Sequence, residues 1–267
     1  MATTVISPPS PGPVDPALRR RDRRLRAWVL ASLAALTALA WIALPPLGQA
    51  MMPAMPGMAM APGISALAIG FAMWAVMMPG MMLPSAAPMT LAVARIHAAR
   101  APGRGASLRL AAFVAGYLLV WTGFAAVAAA AQWALARAGL AAGMVGAVGR
   151  GIGAAIFLAA GAYQFSPLKL ACLGACRSPL AFLLGHWRDG VAGALRMGLR
   201  HGVVCLGCCW ALMALLFAVG AMNLLWVAGL GMFVLVEKLA PMGGLLARAG
   251  GIALIAAGFA LAAGVVG

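Results

Sequence analysis

Residues 201–222 read HGVVCLGCCWALMALLFAVGAM. The second half is uninterrupted apolar sequence of the kind that crosses hydrocarbon as a helix. The first half holds His201, Cys205, Cys208 and Cys209, spaced four, three and one residues apart. At roughly 100° per residue these four side chains fall within a sector of about 100°, so one helix face carries them all. Soft ligands therefore sit at the mouth of a membrane helix, and this fixes both the fold class and the chemistry to be looked for.

The rest of the chain agrees with a lipid environment. Of its 267 residues 65% are hydrophobic and 9% charged, whereas soluble domains carry about 25% charged residues. Apolar runs at about 28–46, 64–84, 109–133, 150–168, 201–221, 222–240 and 249–267 predict an all-α, polytopic transmembrane bundle of about seven spans. Residues 27–267 then form one membrane domain, and residues 1–26 a disordered basic tail. The first run exceeds the 7–15 apolar residues of a signal peptide and follows a long basic region, so it reads as an uncleaved anchor. Residues 47–63 form a Met-rich outside loop. Ser178-Pro179 reads as a helix cap and first position, opening an amphipathic inner-surface segment over 178–200 that Gly190 and Gly193 can break.

The net charge of +15 does not point to nucleic acid, because no basic face with base-reading elements is present. The charges collect between the apolar runs. With the N-terminus in the cytoplasm, every one of the 19 basic residues except Arg137 and Arg150 lies on the inside, as positive loops resist translocation. The expected location is a membrane crossed several times, with the lipid bilayer as the constant partner.

Three groups of residues carry candidate chemistry. The first is the five cysteines: Cys172 and Cys176, four apart, with Cys205, Cys208 and Cys209. They fall near the reducing cytoplasmic face, where structural disulfides are disfavoured, and thiolate clusters suit soft ions. The second is methionine, 18 in all. Met51, Met52, Met55, Met58 and Met60 crowd the outside loop, and Met77, Met78, Met81 and Met82 the second span. Thioethers favour Cu(I), although Met within a span is also a good core filler. The third is Glu237, the one acid inside any expected span. An intramembrane carboxylate is a functional candidate by default, and the competing reading is a local ion pair, with Lys238 snorkelling to the surface. Counting depth from the turn near Met222-Asn223 sets Cys208 level with Glu237, with about Met78 in the second span and with Tyr163-Gln164 in the fourth. His201 reads as a helix-mouth ligand; His97 and His186 read as ordinary interfacial residues. The sequence contains no nucleotide-binding loop, Ser-His-Asp set or HExxH.

WAVMMPGMMLPSAAP (74–88), YQFSPLKLACLGACRSP (163–179), the run 186–226 and VLVEKLAP (234–241) together resemble a bacterial family of predicted metal-binding integral membrane proteins, some labelled copper chaperones. The resemblance covers about residues 64–241. It implies a metal role for Cys172, Cys176, His201, Cys205, Cys208, Cys209, Glu237 and the Met-Met pairs. The expectation is a non-enzymatic protein that binds copper, most readily as Cu(I), with zinc as the second choice. It would transport copper or pass it from a periplasmic donor to a copper-dependent membrane enzyme. The rival expectations are a membrane thiol–disulfide carrier using Cys205 and Cys208, and an assembly subunit whose cysteines only pack.

Overall fold

The structure is a computed structural model that describes residues 16–50, 63–100, 103–142 and 146–265. Among these residues it is all-α, with no strand, only one isolated bridge between Ala141 and Val148. The helices are α1 (Pro16–Gln49), α2 (Ile64–Arg100), α3 (Arg104–Arg137), α4 (Arg150–Tyr163), α5 (Pro167–Arg177), α6 (Pro179–His186), α7 (Gly190–Val219), α8 (Leu224–Leu239) and α9 (Gly243–Ala263). Five of them, α1, α2, α3, α7 and α9, are long and apolar enough to cross a membrane, and α4 with α5, bent by 64° at their junction, together pass the same test as either a broken span or a re-entrant loop. This is a polytopic helix bundle. The expected sixth span, 222–240, contains α8, whose 16 residues rise only about 24 Å, short of the roughly 30 Å hydrocarbon core.

Three boundaries differ from the sequence expectation. The basic run expected in the N-terminal tail, from Arg19 onward, forms the first turns of α1. The helix itself does not end near Pro84, where the membrane part of the second run is expected to stop: α2 continues through Pro79, Pro84 and Pro88 to Arg100. A proline has no N–H, so Pro84 leaves the Gly80 carbonyl without its intrahelical donor. The indole Nε1 of Trp41 on α1 donates to that carbonyl at 3.3 Å. A neighbouring helix thus supplies what the proline removed, which lipid could not do. Finally, the segment 178–200 is not one helix. Ser178 and Pro179 do open α6, but residues 187–189 are irregular and Gly190, at φ +80°, starts α7. Residues 190–200 are therefore continuous with the cysteine helix.

α2 is buried along most of its length, and its Met73, Trp74, Met77, Met78, Met81 and Met82 form the middle of the core with Trp121 of α3 and Leu212, Met213 and Leu216 of α7. α3 and α7 approach closely through glycines. A Cβ at Gly198 would collide with the Phe113 carbonyl, and one at Gly116 with the Leu195 carbonyl. Such close backbone approach is how helices gain packing energy where lipid removes the hydrophobic drive. It also brings Tyr117 of α3 against the cysteine face of α7. The hairpin between α7 and α8 turns at Gly220, φ +89°, and Asn223 caps α8 by accepting from the Trp226 amide at 3.4 Å.

Candidate functional site

Side chains from α2, α3, α5 and α8 converge on the cysteine face of α7. Cys205, Cys208 and Cys209 are each about 1% exposed. Position four residues apart on a helix means one turn, so Cys205 and Cys209 stack along the face. The Cys208 and Cys209 thiols both turn onto the Cys205 carbonyl at 3.0 Å, the local back-bonding that satisfies a polar side chain inside a helix. Cys209 Sγ also lies 3.8 Å from Met82 Sδ of α2. Cys176 of α5 lies near Cys205 and Cys208, close enough to interact with both electrostatically. Four thiols from two helices and one thioether from a third are thus contiguous. Cys172, one turn before Cys176, packs against the bare Cα of Gly207, where a Cβ would meet its Sγ at 2.8 Å.

Cys205 has two further partners. The Tyr117 hydroxyl is 3.2 Å from its Sγ and donates to the Met82 carbonyl at 3.2 Å. The Lys238 ammonium Nζ is 2.9 Å from the same sulfur and 3.2 Å from Ser85 Oγ. Lys238 is buried, not snorkelled. A buried ammonium is costly unless a counter-charge meets it, and the sulfur of Cys205 stands where that charge is needed. The pair is neutral either as thiol and amine or as thiolate and ammonium, and the second form is the one that binds metal.

Glu237 precedes Lys238 by one residue and so points about 100° away around α8. It meets Lys169 of α5 instead, Oε1 to Nζ at 2.7 Å, with both side chains essentially inaccessible. The contact is an ion pair without an aligned hydrogen bond, since none of Lys169 Nζ, Glu237 Oε1 and Glu237 Oε2 has one among the described residues. The Arg177 guanidinium closes this corner by donating to the Ala240 and Pro241 carbonyls. The depth count put Glu237 and Gln164 level with Cys208, without saying whether they face it. In the fold Glu237 belongs to a lysine pair, and Gln164 is buried against Gly251 of α9.

His201 lies one turn before Cys205, yet it does not join the thiols. Its ring stacks on Phe113 and Tyr117, with centroids 5.9 and 5.5 Å away, and meets Phe182 edge-on. Neither ring nitrogen has a hydrogen-bond partner among the described residues. His97 is buried against Trp187 rather than interfacial, and His186 Nδ1 reaches the Phe182 carbonyl at 2.8 Å. Of the second-span methionines Met82 reaches the cluster. Met77, Met78 and Met81 are buried core residues, Met81 against Gly231 of α8. Met51, Met52, Met55, Met58 and Met60 lie outside the described residues.

Sequence reasoning sent Lys238 to the surface rather than to the thiols, and missed Tyr117, Ser85 and Lys169. A compositional signal existed for the first and last: the chain has only two lysines, Lys169 and Lys238, and both are buried, while the other cations are arginines. In the described conformation no group of three or more His, Cys, Asp or Glu side chains encloses a metal ion among the described residues. The reason is visible in the geometry. Cys208 and Cys209 are turned to a carbonyl, and a lysine cation is seated on Cys205. The donor chemistry itself suits a soft cation, since thiols and a thioether are its preferred ligands.

A multi-pass helical bundle with a buried thiol–thioether cluster is the class that fold and site define. Residues 71–261 match the model of the PpoB2 family, described as copper chaperone, and the chain belongs to that family. Copper handling is therefore its general business. No curated protein and no solved structure matches the chain.

Proposed function

We propose that the protein is a non-enzymatic carrier of Cu(I) in a bacterial inner membrane, and that Cys205, Cys208, Cys209, Cys176 and the Met82 thioether are its cargo ligands. The observation that carries this reading is the contact of Cys209 Sγ with Met82 Sδ at 3.8 Å inside a group of buried thiols. A soft, monovalent ion matches that donor set. Two thiolates around Cu(I) carry one net negative charge, and the Lys238 ammonium neutralises it. Loading then requires the Cys208 and Cys209 thiols to leave the Cys205 carbonyl and Lys238 Nζ to yield its place on the sulfur. Met51, Met52, Met55, Met58 and Met60 capture copper outside, the buried methionines of α2 lead inward, and delivery is to a membrane metalloenzyme. The charge distribution supports a cytoplasmic N-terminus, which reporter fusions at the two termini would test: an inside signal at the N-terminus and an outside signal at the C-terminus are expected.

The deciding experiment is elemental analysis of protein purified anaerobically and reduced, then reconstituted with Cu(I) and desalted. Wild type is expected to retain copper, and a variant with Cys205, Cys208 and Cys209 all changed to Ser is expected to lose it. Equal copper in both, or none in either, overturns the reading. The nearness of Cys176 to Cys205 and Cys208 favours one rival, a thiol–disulfide carrier. That rival requires a mixed disulfide to be trapped when Cys208 is changed to Ser, and copper loading to be dispensable.

A further inference from the structure

A second polar cavity lies apart from the thiols, where α6 ends and α7 begins. The chain leaves α6 at His186, turns through Trp187, Arg188 and Asp189, and re-enters helix at Gly190. Four-residue spacing puts Arg196 and Arg200 on one face of α7, and the turn returns Arg188 beside them. Together with His186, Trp187 and Met197 they line a cavity of about 350 Å³, within the roughly 300–1,000 Å³ range of small-molecule sites.

The charge of this cavity is uncompensated. Among the described residues none of Arg188, Arg196 and Arg200 has a carboxylate within ion-pair distance. The one nearby acid, Asp189, does not line the cavity. The Trp187 indole donates to it at 2.9 Å and Arg100 lies 3.3 Å away. The Trp187 hydrogen bond, then Arg100 and Arg109, hold its carboxyl below the usual carboxylate value. All three arginines are exposed to solvent, so their mutual repulsion is screened, and what the cavity offers an anion is three guanidinium forks converging on one place. Guanidinium forks match phosphate oxygens two at a time. Leu184 and Val191, exposed apolar residues of α6 and α7, neighbour the cavity-lining residues Gly185 and Arg188 in sequence, as an interfacial lipid site requires apolar next to cationic surface.

We propose that the Arg188–Arg196–Arg200 cavity is a binding site for a phosphate group, either the headgroup phosphate of an anionic phospholipid or free phosphate. The site is independent of copper. The test uses the full-length protein in a neutral detergent, titrated calorimetrically with short-chain phosphatidylglycerol, with inorganic phosphate and with short-chain phosphatidylcholine. Saturable binding of phosphatidylglycerol at one per chain is expected, and changing Arg196 and Arg200 to Gln together is expected to weaken it roughly 25-fold, from about fivefold per arginine near a membrane surface. If inorganic phosphate binds and phosphatidylglycerol does not, free phosphate is the ligand. Two arginines elsewhere on the basic flanks, Arg20 and Arg104, changed to Gln provide the control. If they weaken binding equally, or if binding never saturates, or if phosphatidylcholine binds as well, the site does not exist. Changing Arg196 and Arg200 to Lys keeps charge and fold while losing the fork, and intermediate weakening is expected.

Discussion

Two neighbouring residues, Glu237 and Lys238, have opposite fates, and the difference is worth testing. Both are buried charges on α8, one turned to Lys169 and the other to Cys205. Changing Glu237 to Gln strands the Lys169 ammonium, a loss of about 3–5 kcal/mol for breaking a buried pair. SDS unfolding in mixed micelles should read this loss, and changing Lys169 to Met in the same chain should recover much of it. Copper content per folded protein should not change, because Glu237 does not reach the thiols. Lys238→Met should do the reverse. It removes the charge that neutralises a two-thiolate Cu(I) site, so affinity measured against a Cu(I)-chelating probe should fall about tenfold or more, tenfold corresponding to about 1.4 kcal/mol. Unchanged affinity in Lys238→Met, or copper loss confined to Glu237→Gln, would show that the wrong neighbour was assigned to the site.

At the level of helices, the bundle is held by groups that one element lends another. α2 runs through three internal prolines, and at one of them a neighbouring helix satisfies the freed backbone, Trp41 donating to the Gly80 carbonyl. Trp41→Phe keeps most of the ring volume and deletes the donor. An unsatisfied buried carbonyl costs about 1–3 kcal/mol, so this change should destabilise α1 against α2 by that amount, read as a lower midpoint of thermal unfolding in detergent. A midpoint equal to wild type would mean that the carbonyl finds water or another donor. The sequence signalled the prolines but not their remedy. Pro84 looked like the end of a span because a proline's cost is legible along the chain, while the indole that offsets it comes from a helix 39 residues earlier. The short break at residues 187–189 was legible only as Gly190; the interaction of Asp189 with Arg100 across 89 residues was not.

For the whole molecule, the cargo site lies where α2, α3, α5, α7 and α8 meet, so a bound ion would tie together elements far apart in sequence. A ligand that binds only the folded state stabilises it by about 2.7 kcal/mol at a hundredfold excess over its Kd. Cu(I) loading should therefore raise the unfolding midpoint of wild type and leave the variant with Ser at Cys205, Cys208 and Cys209 unmoved. Equal shifts in both proteins would place the stabilising copper somewhere other than the thiol cluster.

The sequence alone determined that this is an apolar helical bundle and that His201, Cys205, Cys208 and Cys209 share one helix face. Both follow from local rules: hydrocarbon thickness sets the length of apolar runs, and helix period sets which residues align. The tertiary structure decided which of those residues meet. It sent Cys205 to Lys238 and Tyr117, Cys209 to Met82, Glu237 to Lys169, and His201 into an aromatic stack away from the thiols. The physical reason is that a helix fixes only the direction in which a side chain leaves its own axis. What it encounters depends on the rotation and approach of its neighbours, and here glycines at the α3–α7 contact and donors lent to α2 fix that approach.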